Sequence, residues 1–373
     1  IMASGGSVKF IHGHSVQIDA LTLTQVPLEQ METFSGKSRI PILTCGPMLA
    51  RTGQVIVPSL GGCQIGDRPI DFHIEALKAL GVRIEMHKTH IEMFADRLRG
   101  AKIHLPYPSV GATEQVLLAS VLADGVTELS NAAIEPEIMD LIAVLQKMVS
   151  IIFVDTHRVI TIHGVEKLSG FRHKALPDRL EAASWACLAA ATNGRVFARG
   201  AEQMNMATFL NAFRQAGGAF EVREHGIEFW RAGKTLQAMA LETDVHPGFM
   251  TDWQQPFVVM LTQAEGVSVM HETVYEGRFG YVEALKLMGA RIHLYQRCLG
   301  LSCRFANRNA FHSAVIEGPT TLRGAEIHIP DLRGGFSYIV AALVAQGVSK
   351  LSNVQLIRRG YEDILGKLRA LKA

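Results

Sequence analysis

The chain has 373 residues, a formal net charge of +2, 48% hydrophobic residues and 19% charged ones. This length suits two domains of about 100–200 residues, each with its own core, and the composition excludes a disordered chain. The near-neutral balance argues against a nucleic-acid partner, no apolar run is long enough to span a membrane, and no signal peptide is expected from the opening IMASGGSVKF, which has no basic stretch before an apolar run.

The elements repeat along the chain, and each unit reads β-α-β-α-β-β over about 65–75 residues. The opening IMASGGSVKFIHGHSVQIDA reads as the end of a unit: helix tail, Gly-Gly, strand, turn, strand. A loose first half follows from Lys37, KSRIPILTCGPMLARTGQVIVPSLGG. The second half IDFHIEALKALGVRIEMHKTHIEMFA carries apolar Ile74, Leu77 and Leu80 at helical spacing, a C-terminal Gly81, then alternating strands. Clear first halves start at Leu98, Leu168 and Leu322, each with Leu-x-Gly, a short strand, a turn and an Ala-rich helix; a looser one starts at Val245. Their second halves include MNMATFLNAFRQAGGAFEVREHGIEFW and FGYVEALKLMGARIHLYQRCLGLSC. The Ala-rich helices should be buried, and the second-half helices should keep one polar face. The fold class expected is α/β, two lobes built from these repeats, residues 1–170 and 171–373.

Chemistry concentrates in SLGGCQIGDRPIDFH, residues 59–73. Cys63 sits among glycines, beside Arg68 and ahead of a helix N-terminus, where a thiolate is stabilised. The other cysteines, Cys45, Cys187, Cys298 and Cys303, read as reduced core or surface thiols. An odd count of five with no CxxC pair suits a reducing, cytoplasmic compartment. His12, His14, His87 and His90 each fit a hairpin strand or turn. No metal site is expected, because no carboxylate or cysteine joins them at ligand spacing. Asp252 fits a helix N-cap before QQPFVVMLTQ. Glu135 and Glu137 read as structural polar contacts.

The pattern GGC-x-IG-x-RP-I-D-x-H resembles the active-site loop of the UDP-N-acetylglucosamine 1-carboxyvinyltransferases. Seven further matches follow in that family's order: PSVGAT at 108–113, NAAIEPEIMD at 131–140, LPDRLE at 176–181, HPGFMTDWQ at 246–254, ETVYEGRF at 272–279, DLR at 331–333 and RGYE at 359–362. The resemblance implies a two-lobed, inside-out α/β barrel. It implies transfer of the enolpyruvyl group of phosphoenolpyruvate to the 3-hydroxyl of UDP-N-acetylglucosamine, with phosphate released and no cofactor. That reaction opens peptidoglycan synthesis, and with it serves cell-wall growth, shape and division. The shikimate-pathway enolpyruvyl transferase, or a homologue that only binds nucleotide sugar, is the competing reading.

By the same resemblance Cys63 protonates phosphoenolpyruvate and is the thiol alkylated by fosfomycin, while Asp252 contacts the sugar hydroxyl as its base. Arg68, Arg278, Arg333 and Arg359 match the anion site, where guanidinium groups hold phosphate and carboxylate bidentately. Arg39 matches a nucleotide-sugar contact. So do Arg68, Pro69, Ile70, Asp71, Phe72, Tyr107, Pro108, Ser109, Val110, Asp252 and Val274. Ser109 opens a helix whose backbone N–H groups suit a diphosphate. Cys63 falls in one lobe and Asp252, Arg278 and Arg333 in the other, which implies closure over the substrates. The chain departs from the family at Tyr107, where a basic residue is usual, and at Leu356-Ile357-Arg358-Arg359. The family's Gly-Ala-Lys-Asn stretch, whose lysine binds phosphoenolpyruvate, has no counterpart in these residues. Weak nucleotide-sugar binding and poor turnover are expected of the chain as written.

Overall fold

The computed structural model describes residues 1–11, 15–24, 26, 27, 30, 33, 35–61 and 69–371, with Arg333 described by its backbone alone. The described residues divide into two compact units between Ala175 and Leu176, five residues beyond the boundary expected from the repeats. His173 explains the offset. Its Nε2 lies 2.9 Å from Asp140 and its Nδ1 2.9 Å from Lys147, which ties the connecting segment to the first unit.

The first unit opens with the antiparallel pair β1 (Ser7–Ile11) and β2 (Ser15–Asp19). Then come α1 (Ile40–Leu43), α2 (Cys45–Thr52), β3 (Gln54–Pro58), α3 (Asp71–Ala79), β4 (Arg83–Met86) and β5 (His90–Phe94). The three strands form an antiparallel sheet in the order β3-β5-β4. Next are β6 (Lys102–His104), α4 (Val110–Ser120), β7 (Val126–Ser130), α5 (Pro136–Lys147), β8 (Ile151–Val154) and β9 (Ile160–His163). Their sheet has the order β6-β7-β9-β8, with β6 and β7 parallel. This is the β-α-β-α-β-β unit read from the sequence.

The second unit continues with α6 (Arg179–Ala191), β10 (Arg195–Arg199), α7 (Ala207–Gln215), β11 (Gly218–Arg223) and β12 (Gly226–Arg231). β13 (Leu236–Gln237), β14 (Ala240–Glu242), α8 (Gln254–Leu261), β15 (Ala264–His271), α9 (Val282–Leu287), β16 (Arg291–Tyr295) and β17 (Ser313–Gly318) build its largest sheet and the helices beside it. β18 (Glu326–His328), α10 (Leu332–Val344), β19 (Lys350–Ser352) and α11 (Ile364–Ala370) complete it. The copy starting at Leu168 lacks the short strand expected of it. In the equivalent copies Gly100 and Gly324 lie flush on a neighbouring backbone, at or just before the partner strand, where a Cβ would sit 2.4 Å from Val126 O and 2.2 Å from Val348 O. A Cβ at Gly170 would meet open space. Without a strand to lie on, the segment stays irregular.

Burial follows the repeat. The Ala-rich α6 is buried at every residue but Glu181, and α8 is buried throughout. The second-half helices bury one face only: α3 buries His73, Ile74, Ala76 and Leu77 and turns Asp71, Glu75 and Lys78 outward. α2 lies so close on α4 that a Cβ on Gly46 would come within 2.8 Å of the Ala119 backbone. In the second unit Trp185 of α6 meets Phe336 of α10 edge-on, centroids 5.0 Å apart. Tyr361 stacks on Phe336 at 4.6 Å and places its hydroxyl 3.0 Å from Ser184 Oγ. Each fully buried ring contributes roughly 1.5–3 kcal/mol.

Candidate active site

In the first unit the candidate residues gather at two helix starts. Ile70, Asp71 and Phe72 form the beginning of α3, with the exposed Pro69 just before it. Ser109 caps α4, its hydroxyl accepting from Ala112 N at 3.4 Å. Tyr107 and Pro108 precede that cap, half-buried, and Val110 is the helix's first residue. His73 joins the two starts. It is buried on α3, and its ring lies where a Cβ on Gly111 of α4 would be 3.2 Å away. Burial and the nearby Arg39 guanidinium lower its pKa to about 4, against a Gln115 hydrogen bond and Asp71 that raise it. His73 is therefore neutral near pH 7. Arg39, just ahead of α1, is close enough to act on that ring. Glu114 is pushed up by burial and by like charge from Glu137 and Glu135. Cys63 and Arg68, and the histidines His12 and His14, lie outside the described residues.

In the second unit a single turn carries a dense polar network. Thr251–Trp253 is one 3-10 turn leading into α8. Phe249 just before it and Trp253 at its end are both buried, rings 5.5 Å apart, and Arg179 lies 5.3 Å over the indole. That anchorage leaves the Asp252 carboxylate 25% exposed. Asp252 does not act as the N-cap expected from sequence, and no side-chain cap bond occurs there. Its carboxylate instead accepts from Arg278 Nη2, because a charge-assisted bond to guanidinium is the stronger partner. Arg278, 1% exposed, also donates to Gln255 Oε1 at 3.4 Å. Burial alone would lower its pKa, but Asp252, Glu272 and Asp331 raise it overall. The guanidinium is thus a permanent cation, buried beside the Asp252 carboxylate.

Glu272, missed in the sequence reading, is the hub beside it. This fully buried carboxylate accepts from Thr251 Oγ1 at 2.9 Å, Gln254 Nε2 at 2.6 Å, Val274 N at 2.7 Å and Tyr275 N at 2.9 Å. Burial pushes its carboxyl up, while Arg278 and those donors pull it down. Asp331 accepts from Gly334 N at 3.0 Å and so closes the start of α10, on whose first turn Arg333 falls. Arg359, exposed, ends the 3-10 segment Val354–Arg359. That segment packs on the same turn: a Cβ on Gly335 would be 2.6 Å from Ile357 Cγ1, and one on Gly360 3.0 Å from Leu332. The unit therefore joins Asp252 to Arg278 directly, sets Glu272 and Asp331 close enough to act on that guanidinium, and places Arg359 and the backbone of Arg333 at one helix start. The signal for Glu272 was an acidic residue directly after the strand residues VSVMH, at the head of ETVYEGRF.

Two groups of donors among the described residues could hold a metal. His87 stacks on His90 at 4.5 Å, and His90 Nε2 lies 3.1 Å from Glu92. A carboxylate does join these histidines, contrary to the sequence expectation, because residues 90 and 92 share one face of β5. The second group, His271, Cys298, Cys303 and His312, departs further from the sequence reading, which left both cysteines as plain thiols.

The repeated α/β architecture is the enolpyruvyl transferase fold. The chain matches the enolpyruvyl transferase NikO from Streptomyces tendae with a TM-score of 0.82 at 20% identity, over 99% of this chain and 84% of that one. It matches EPSP synthase from Acinetobacter baumannii with a TM-score of 0.69 at 17% identity, over 96% and 83%. The chain belongs to the family described as EPSP synthase (3-phosphoshikimate 1-carboxyvinyltransferase), whose sequence profile matches residues 14–368. Among its relatives, the UDP-N-acetylglucosamine 1-carboxyvinyltransferase of Protochlamydia amoebophila strain UWE25 is 55% identical over 349 residues, 92% of this chain and 75% of that protein. The protein of the same name from Chlamydia pneumoniae is 49% identical over 354 residues, 94% and 76%.

Proposed function

We propose that the protein transfers the enolpyruvyl group of phosphoenolpyruvate to the 3-hydroxyl of UDP-N-acetylglucosamine and releases phosphate. The observation that carries this reading is Asp252: a partly exposed carboxylate held in place by the buried Arg278, in a chain 55% identical to a UDP-N-acetylglucosamine 1-carboxyvinyltransferase. Asp252 takes the proton of the sugar hydroxyl as its oxygen bonds to C2 of phosphoenolpyruvate. Cys63 delivers a proton to C3, giving a tetrahedral phospho-ketal. Loss of a C3 proton then re-forms the double bond and expels phosphate. Arg68, Arg333 and Arg359 hold the phosphate and carboxylate. Arg278 fixes Asp252 and adds positive charge behind it. Arg39 and the starts of α3 and α4 bind the nucleotide sugar, whose diphosphate suits the N–H groups after Ser109. In this reading the product enters peptidoglycan synthesis in the cytoplasm.

The test is phosphate release with phosphoenolpyruvate and each acceptor in turn, from the chain as written and from the chain extended by the family's lysine-bearing stretch, with robust turnover expected of the extended chain. Release with UDP-N-acetylglucosamine, and none with shikimate 3-phosphate, is the expected result; the reverse preference would overturn the substrate assignment. Fosfomycin should alkylate Cys63 when nucleotide sugar is present, and peptide mass mapping locates the adduct.

A further inference from the structure

We propose that His271, Cys298, Cys303 and His312 form a structural zinc site in the second unit. His271 is the last residue of β15, and His312 directly precedes β17. The two strands pair antiparallel with His271 opposite Ser313, so the register brings both imidazoles to one end of the sheet. Cys298 and Cys303 come from the connection between β16 and β17, residues 296–312, which has no helix or strand of its own. An irregular connection longer than about 12–15 residues is uncommon inside a compact unit and usually has a function.

The distances suit a tetrahedral ion. With Zn–S near 2.3 Å and Zn–N near 2.0–2.1 Å, ligand atoms should be about 3.8 Å apart for two sulfurs and about 3.6 Å for sulfur and nitrogen. Cys298 Sγ lies 3.6 Å from Cys303 Sγ and 3.5 Å from His312 Nε2. The donor atoms of all four residues fall within 4.8 Å of one another. The sulfurs are far beyond the ~2.05 Å of a disulfide.

The imidazoles are already oriented as ligands. Nδ1 of His271 is 2.8 Å from Glu242 Oε2, and Nδ1 of His312 is 2.9 Å from the Ala310 carbonyl oxygen. Both partners accept, so each Nδ1 carries the proton and each Nε2 keeps its lone pair. Carboxylate and carbonyl are the usual outer partners of metal-bound histidine. His271 is 1% exposed, and its Nε2 has no hydrogen-bond partner among the described residues. A buried ring nitrogen left in that state is unfavourable unless something binds it. Gly300 lets the loop close over this point: a Cβ there would be 2.2 Å from Glu242 Oε2 and 2.5 Å from His271 Nδ1.

Two thiolates and two neutral imidazoles cancel the charge of Zn²⁺, and binding releases two thiol protons to solvent. Four protein ligands fill the shell, so the ion fastens the structure and activates no water. What it fastens borders the candidate active site. Arg304, one residue beyond Cys303, donates to the Val274 carbonyl at 2.8 Å, and His271 is joined in sequence to Glu272. The proposal stands on these contacts and does not depend on the reaction assigned to the protein.

The test is metal content and ligand spectroscopy on the whole chain. Protein equilibrated with zinc and then desalted should hold one zinc per chain. Cobalt substitution should give the intense visible bands of a tetrahedral site and a thiolate-to-cobalt charge-transfer band. The double variant Cys298→Ser/Cys303→Ser should lose both, and His87→Ala/His90→Ala should keep both. The cobalt spectrum of the unaltered protein decides the matter even if the cysteine variant fails to fold. No zinc retained, a cobalt spectrum without thiolate charge transfer, or full zinc in the cysteine variant would each overturn the site.

Discussion

Asp252 and Arg278 show how one pair can be built for chemistry more than for stability. A guanidinium at 1% exposure has lost its water, and Asp252 and Glu272 replace it with charge. Arg278→Ala would remove the buried cation that balances both carboxylates, and unit two should lose on the order of 3 kcal/mol, read from its denaturation midpoint. Asp252→Asn keeps a hydrogen-bonding oxygen facing Arg278 but removes the base. Turnover should fall by about 10²–10⁴, as for loss of a general base, while calorimetric affinity for UDP-N-acetylglucosamine changes little. A matching loss of affinity would reassign Asp252 to binding. His73 makes a separate pH prediction. Its folded pKa of about 4 lies below its ordinary 6.5. The unfolded chain therefore binds the proton more readily. The stability linked to neutral His73 is intact above about pH 6.5 and is lost as pH falls towards 4, by about 3 kcal/mol in all. His73→Gln should flatten that part of the acid limb in a urea titration run across pH. Sequence pattern pointed to Asp252 and Arg278, but their contact depends on packing around a buried turn, which no local spacing encodes. Local propensity suggested an N-cap, and the tertiary partner prevailed.

At the scale of elements the repeat was plainly written. Helical and alternating periodicities marked each half-unit, and Leu-x-Gly marked where a short strand enters. The copy at Leu168 shows what that motif requires. Gly100 and Gly324 are needed because a neighbouring backbone occupies the space of a Cβ, and Gly170 has no such neighbour. Gly100→Ala and Gly324→Ala should each destabilise their own unit by about 1–3 kcal/mol through overpacking. Gly170→Ala should stay within about 0.5 kcal/mol of the parent. Chemical denaturation of the three variants checks this, and equal effects at all three positions would sink the argument. The four-residue donor cluster was illegible for a different reason. Cys298 and Cys303 stand at C-x4-C spacing, which zinc sites use, but their histidines lie outside that stretch and are brought in by the register of β15 on β17. A sheet register is set by tertiary packing on both faces, so one linear sequence does not disclose which distant residues share its end.

Across the described residues, most of the apolar burial falls into two clusters, one in each unit. The first is built around Leu77, Met93, Leu117 and Ile160, and the second around Phe209, Phe257, Phe336 and Tyr361. Units with cores of their own are cooperative in themselves, so unfolding need not be two-state over the chain. Scanning calorimetry should show two transitions, and each should answer to a different perturbation. Acidification from pH 6.5 towards 4 charges the unfolded form of His73, so the transition of the first unit should fall further than that of the second. Removing zinc by chelation should lower only the second, since all four proposed ligands belong to it. A ligand held by the native state alone stabilises by RT ln(1 + [L]/Kd), or about 2.7 kcal/mol at a hundredfold excess over Kd. For units of roughly 150–250 residues a change of 1 kcal/mol moves the midpoint by about 2–4 °C, so shifts of this size are easily separated. A single transition that moved as a whole under both treatments would mean that the two cores unfold as one, and the assignment of each perturbation to its own unit would fail.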